Sequence, residues 1–367
     1  MWRIALTYIL RAWAVAVVFC ARSFPTKNLI IDTDLYSDTD DAGALLLAAT
    51  SPRANILAIN VNVASWYSAV AASAILAHYG HSFADVPVGV RRPLTNDTFF
   101  DAWGFELGEY ASKVAYHYAD PEKGSLAWGR GAADDAWDAV ALYRRVLADA
   151  DDASVTIASI GFLENLSGLL NSTADEISPL NGQDLVATKV AELVVMGGEY
   201  PSGSEWNFWG DNPLTTAHVV HNWRGKVVFS GYEMGRSVLS GGKLIDYGPP
   251  NDPVRDAYAW YTCGRQLRPS WDPLTVLYAI DGLGDLFEYA TEYGYNHVYP
   301  NGSNEWVYDR SFTDQRFLKL TVSDTEAAAT LDRLYLDGAR LAAGTKRSFQ
   351  HQLWDATAML FGLMKGW

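Results

Sequence analysis

The sequence predicts an α/β protein with a mainly parallel, Rossmann-like central sheet and helices on both faces. Three observations predict it. Short apolar runs recur along much of the chain, interleaved with stretches of helical character. These runs are apolar without alternation, as in strands covered on both faces. Several run into Asp or Gly, and in open parallel sheets the carboxyl ends of strands are where ligands sit.

The elements follow in order. Asn28-Leu29-Ile30-Ile31 reads as a buried strand running into Asp32-Thr33-Asp34. Asp41 to Thr50 reads as a helix and Ile56 to Val63 as the next strand. Ser68 to His78 is an Ala-rich helix ended by Gly80, and Val86 to Val90 is another strand. Asp134 to Asp149 reads as a helix. Val155 to Ile160 is a strand broken by Gly161, and Leu193 to Met196 is a strand ending in Gly197-Gly198. A helix over Pro213 to Trp223 precedes a strand over Lys226 to Ser230. Tyr289 to Arg316 is rich in aromatic, Asn, Gly and acidic residues and reads as strands and loops. Glu326 to Gly338 and Phe349 to Gly362 read as helices. No linker, repeat or low-complexity tract interrupts residues 27–367, so a single domain is the simplest organisation.

Residues 1–23 differ from the rest. A basic start at Arg3 leads into an apolar stretch from Ile4 to Cys20, broken by Arg11 and ending near Ala21-Arg22-Ser23. This reads as a secretory signal peptide, with an amphipathic helix or a membrane anchor as the alternatives. No later segment holds about 18 uninterrupted apolar residues, so no membrane association is expected after signal cleavage. Loss of Cys20 with the leader would leave Cys263 alone, without an intrachain disulfide. Sequons at Asn96, Asn165, Asn171 and Asn301 fit a secreted glycoprotein. The chain carries 28 Lys and Arg against 43 Asp and Glu, a formal charge of -15. That balance argues against nucleic acid polymers as partners, though not against small neutral nucleosides.

The strongest signal is the run from Asp32 to Asp41, where Asp32, Asp34, Asp38, Asp40 and Asp41 follow a buried strand directly. Unpaired, these carboxylates repel one another and raise each other's pKa values. A bound cation removes that cost, and an all-oxygen donor set selects calcium or magnesium over zinc. An acidic surface loop and helix capping are the plainer readings. A magnesium phosphotransferase with an aspartyl nucleophile would also place Asp-x-Asp after a strand. Such an enzyme would want a lysine and a further acidic pair downstream, and neither stands out.

The same run resembles the opening motif of the inosine-uridine preferring nucleoside hydrolase family: strand, Asp-x-Asp, loop, Asp-Asp-Ala. Here it is Asp32, Asp34, Asp40, Asp41 and Ala42. Four further blocks lie in the family's order: Gly161-Phe162-Leu163-Glu164-Asn165, Val194 to Gly198, Glu205-Trp206-Asn207 with Asp211 and Pro213, and Trp271-Asp272-Pro273-Leu274. The resemblance implies the nucleoside hydrolase-like fold and a calcium-dependent cleavage of the N-glycosidic bond of nucleosides to ribose and free base. It implies Asp34 as general base and metal ligand, Asp41 and Asp272 as further ligands, and Glu164 as a ligand through its carbonyl. Asp32 becomes a support behind the metal. Asp40, Asn62, Met196, Glu205 and Asn207 become the ribose-binding set, and Trp271 the aromatic that stacks on the base. Members of the family commonly form dimers or tetramers, which leaves a homo-oligomer open.

The departures matter as much. Many members carry His where this chain has Trp271, so no titratable acid stands before Asp272. An aromatic there stacks on a purine, which gives the expectation of a purine-leaning specificity. Trp103 and Tyr67 are candidates for a second stacking ring. Glu164 replaces a Thr, Val61 replaces a Gly before Asn62, and Asp38 has no counterpart. Asn165 reads as structural rather than glycosylated. His78, His81, His117 and His218 lack the spacing of a zinc site. These departures leave two alternatives: hydrolysis of a different N-glycoside, or a secreted metal- and sugar-binding protein without turnover.

Overall fold

The computed structural model describes residues 26–95, 110–264 and 267–364. The leader read at 1–23, the Asn96 sequon and Trp103 lie outside the described residues. Among those described, nine strands form the main sheet. In chain order the strands are β1 (Lys27–Thr33), β2 (Ala54–Val61), β3 (Val88–Val90), β4 (Trp137–Asp138), β5 (Val155–Ile160), β6 (Val190–Met196), β7 (Ser202–Ser204), β8 (Val227–Ser230), β9 (Leu239–Ser240), β10 (Arg268–Pro269), β11 (Phe287–Tyr289), β12 (Tyr295–Val298), β13 (Ser303–Val307) and β14 (Gln315–Leu320). The main sheet runs β11-β14-β8-β6-β5-β1-β2-β3-β4. All neighbours are parallel except the edge pair β11 and β14.

The uninterrupted apolar runs are explained by burial on both faces. In β1, Leu29 and Ile31 enter one core while Ile30 between them enters the other. β5 divides likewise, Val155 and Ile157 to one side and Ala158 and Ile160 to the other. Strands of this kind read as solid apolar stretches because the pleat sends successive side chains to opposite, equally covered faces. The Asp40–Thr50 helix is buried from Asp40 to Ala49. It is enclosed by the sheet and by the helices Trp271–Asp281 and Asp324–Met364, so it needs no polar face.

Strand order fixes where a ligand can bind. From β1 the chain steps outward through β2, β3 and β4, then returns to the other side of β1 with β5 and moves away through β6, β8 and β14. The order reverses between β1 and β5. At such a switch point the two following loops diverge and leave a crevice at the carboxyl ends of the strands. The Asp32–Asp41 run follows β1, and Gly161 to Glu164 follows β5.

Several boundaries differ from expectation. The helix expected from Asp134 begins at Ala139, because the Asp138 carboxylate caps the Val140 and Ala141 amides; Arg130–Asp134 forms a short 3-10 turn instead. The two helices expected near the C-terminus are one continuous helix, Asp324–Met364. β12, β13 and the distant β7 make a separate antiparallel sheet. No helix among the described residues is long and apolar enough to cross a membrane.

Candidate active site

A cavity of about 670 Å³ opens at the switch point. Asp34 and Asp38 line it from the loop after β1, Asp40 and Asp41 from the first turn of the Asp40–Thr50 helix, Met196 from the end of β6, and Glu205 and Asn207 from the segment after β7. Trp271 and Asp272 enter from the first turn of the Trp271–Asp281 helix. The cavity therefore gathers residues from sequence blocks more than two hundred positions apart.

Local chemistry holds the acidic loop in place. The Leu35 amide donates to the Thr33 hydroxyl at 3.1 Å, and that hydroxyl donates to Asp41 Oδ1. Asp40 Oδ2 accepts from the Trp271 amide at 3.0 Å and the Asp272 amide at 3.2 Å. Ser270, at the cap position of the Trp271–Asp281 helix, makes no side-chain cap, so Asp40 takes that task across the fold. Two helices of eleven residues thus start at the cavity, one with Asp40 and Asp41 in its first turn and the other with Asp272. The positive ends of both helix dipoles favour negative charge there. Gly161 is required beside them: a methyl group at 161 would lie 2.5 Å from the Asp34 amide nitrogen.

Carboxylate oxygens of Asp40, Asp41 and Asp272 converge to within 4.8 Å of one another, all three residues buried. Burial raises all three carboxyls well above their ordinary range, and repulsion from neighbouring aspartates adds to it. Burial and then the Asp38 charge push the Asp34 carboxyl up to about 7. Such a cluster is costly as an apo site and favourable around a hard cation.

The remaining residues fall into distinct places. Asp32 lies behind the cavity wall, fully buried, accepting from Asn62 Nδ2 at 2.6 Å, Tyr143 Oη at 2.8 Å and Asn165 Nδ2 at 3.1 Å. Burial outweighs those bonds and raises it to about 7. Asn62, read from sequence as a ribose contact, is fully buried and not on the cavity wall; its amide is committed to Asp32. Asn165 is bound in the same way, whereas Asn171 and Asn301 are exposed. The Glu164 side chain turns away to the Thr215 hydroxyl at 3.0 Å, leaving its backbone at the start of the helix Glu164–Asn171. Burial and the nearby Asp211 raise that carboxyl to about 6.

Glu205 accepts from the Asn207 amide at 2.9 Å and the Gly198 amide at 3.2 Å, yet burial raises it to about 8. Asn207 Nδ2 donates to the Met196 carbonyl at 3.3 Å and contacts its sulfur at 3.1 Å. The Trp271 indole donates to the Tyr232 carbonyl at 2.7 Å and stacks on the Tyr232 ring at 5.6 Å. Gly235 makes that approach feasible, since a methyl group there would sit 2.6 Å from Trp271 Cα. Tyr67 packs instead with Trp66 and Trp128, away from the cavity wall. His78 faces Asp252, His81 the Ala49 carbonyl and His218 the Ser167 hydroxyl.

The sequence reading missed Arg268, Tyr232 and Tyr261, which complete the wall around Trp271. It also left Asp38 without a role. Arg268 binds both oxygens of Asp38, a pairing across 230 positions that no local signal announces.

The sequence profile of the inosine-uridine preferring nucleoside hydrolases matches residues 29–343. The chain belongs to the inosine-uridine preferring nucleoside hydrolase family. Solved structures of low sequence identity share the fold. The plant nucleoside hydrolase PpNRh1 is 19% identical with a TM-score of 0.61, over 85% of this chain and 99% of that one. An inosine-guanosine nucleoside hydrolase is 20% identical with a TM-score of 0.61, over 85% and 99%. The effector XopQ, solved with adenosine diphosphate ribose, is 14% identical with a TM-score of 0.59, over 86% and 95%. No curated protein sequence matches the chain. Family membership supports hydrolysis of the N-glycosidic bond of nucleosides as the class of chemistry.

Proposed function

We propose that this chain is a secreted, calcium-dependent hydrolase of the N-glycosidic bond of ribonucleosides, leaning towards purines. The observation that carries this is the convergence of Asp40, Asp41 and Asp272 beside Asp34, at the strand switch point, in a cavity walled on one side by Trp271. The donor set fits calcium: it is all oxygen, it is buried, and its carboxyls are strongly disfavoured as bare charges. Asp41, Asp272 and Asp34, with the Glu164 carbonyl, would hold the ion. Calcium bound there supplies a positive charge that anchors vicinal ribose hydroxyls and makes a water easier to deprotonate.

The side chains then divide the work. Asp34 takes the proton from the water that attacks C1'. The C1'–N bond breaks with its electron pair going to the base, leaving oxocarbenium character on the sugar. Asn207, whose Nδ2 is held by Met196, presents its amide oxygen to that developing charge. Glu205 accepts from the 5'-hydroxyl. Asp40 anchors the Trp271–Asp281 helix through two amides and offers its other oxygen to the sugar or the ion. Asp32 ties the end of β1 to Asn62 just beyond β2 and to Tyr143 and Asn165 on two neighbouring helices behind the site. A single displacement by water implies inversion at C1'.

Release of free base from a panel of nucleosides tests this reading. Stacking on Trp271 favours large bases, so Trp271→Ala lowers kcat/KM for purine nucleosides by roughly 10-fold more than for pyrimidine ones. Equal losses on both classes would count against stacking.

The carboxyl shifts give a second expectation. Folded Asp34, Asp40, Asp41 and Asp272 hold protons at pH values where the unfolded chain has lost them. For Asp34 that contribution to stability is fully present below about pH 4 and lost as pH rises through about 7, and the other three carboxyls act in the same direction. In chelator the melting temperature falls across that window. Saturating calcium holds the carboxylates ionised and removes the fall, adding about 4 kcal/mol at a thousandfold excess over Kd. Identical melting with and without calcium at pH 7 would contradict a metal centre.

A further inference from the structure

The base-facing wall carries one cation whose placement the hydrolase reading does not use. Arg268 lies on β10, which pairs with β9, and its side chain reaches the cavity beside Trp271. Arg268 Nε donates to Asp38 Oδ1 at 2.9 Å, and Nη2 donates to Asp38 Oδ2. The guanidinium carbon stands 5.5 Å from the centre of the Trp271 ring and 5.2 Å from that of Tyr261. The side chain is 24% exposed. A guanidinium has five N–H donors in a fixed fork, and Asp38 engages one edge of it. Nη1 has no hydrogen-bond partner among the described residues.

Simple charge neutralisation is the plainer account, because Asp38 and Asp40 both lie close. It leaves two features unexplained. A lysine would neutralise as well, whereas a bidentate pair fixes the plane of the guanidinium. The Tyr261 and Trp271 rings, 5.2 and 5.5 Å from the guanidinium carbon, restrain it further. The geometry points to Arg268 as a specificity-determining residue, aimed by Asp38, that donates to acceptor atoms on the departing base. This rests on the reading of the chain as a nucleoside hydrolase. An arginine matches the paired O6 and N7 acceptors of a 6-oxopurine, while the amino group of a 6-aminopurine turns a donor towards it.

The step balances without proton transfer from Arg268. The C1'–N9 pair moves onto the base, water oxygen bonds to C1', and its proton goes to Asp34. The charge that spreads to N7 and O6 meets the Arg268 N–H groups, and N7 then takes a proton from solvent water. Asp34 returns its proton to solvent. Arg268 remains charged throughout, which suits a site where Trp271 stands in place of an acid.

The test compares inosine with adenosine in the calcium-loaded, full-length protein. Arg268→Ala lowers the ratio of their kcat/KM values roughly 30-fold, within the range of one bidentate contact. Added guanidinium ion restores part of that ratio. Asp38→Asn lowers it too, because the fork loses its aim. A merely structural pair would lower both rates equally and would not respond to guanidinium; that result overturns the inference. Binding supplies a measurement that needs neither a variant nor turnover. By calorimetry, wild-type protein binds hypoxanthine more tightly than unsubstituted purine, and equal affinity would overturn the inference. Absence of base release from every nucleoside would reject the hydrolase reading instead, while the calorimetric comparison would still decide the role of Arg268.

Discussion

Asp34→Asn yields a folded protein that no longer turns over nucleosides. An amide is nearly the shape of the carboxylate but cannot take a proton from water, and general-base catalysis contributes about 10²- to 10⁴-fold. Measured at saturating calcium, where the altered ligand set is still filled, the loss falls in kcat, with KM little changed. Stability is the second readout. Burial and the neighbouring Asp38 oppose the Asp34 charge, so the neutral variant melts no lower than wild type in chelator. A variant with full activity would remove Asp34 from the chemistry. One that fails to fold would mean that Asp34 is chiefly structural.

Asp272→Ala separates metal binding from catalysis. Asp272 is the one member of the converging trio that comes from outside the first turn of the Asp40–Thr50 helix. Its removal lowers calcium affinity by at least roughly 100-fold, more than the loss of an outer partner behind a ligand costs. Activity then recovers in part at high calcium, which Asp34→Asn does not allow. In chelator the variant is no less stable than wild type, because burial and its neighbours Asp40 and Asp41 disfavour the Asp272 carboxylate in the apo state. Unchanged calcium affinity would place the ion elsewhere.

Much of this was legible in the sequence, for identifiable reasons. The strands near β1 and β5 stood out because both of their faces are covered, which makes them solidly apolar. The acidic loop stood out because five carboxylates after a buried strand are costly without a counter-charge. What escaped was set by contacts across the fold. Asn62 looked like a cavity residue from its place at the end of β2, yet Asp32 draws its amide behind the wall. Asp40 looked like a sugar contact, and the structure shows it also capping a helix more than two hundred residues away. Arg268 and Asp38 each lacked a motif, and their meaning lies in the pair. The start at Ala139 was obscured because the stretch from Asp134 is helical in composition, and only the Asp138 cap marks the true beginning. The terminal helix appeared as two because the patterned stretches at 326–338 and 349–362 are separated by weaker sequence, which the backbone crosses without a break.

The most direct test is release of ribose from purine and pyrimidine nucleosides by the purified protein, first in chelator and then with calcium restored. The account predicts no release in chelator and recovery on adding calcium, with purine nucleosides the better substrates. A folded, calcium-loaded protein that releases ribose from none of them, or one whose turnover ignores the chelator, would contradict it.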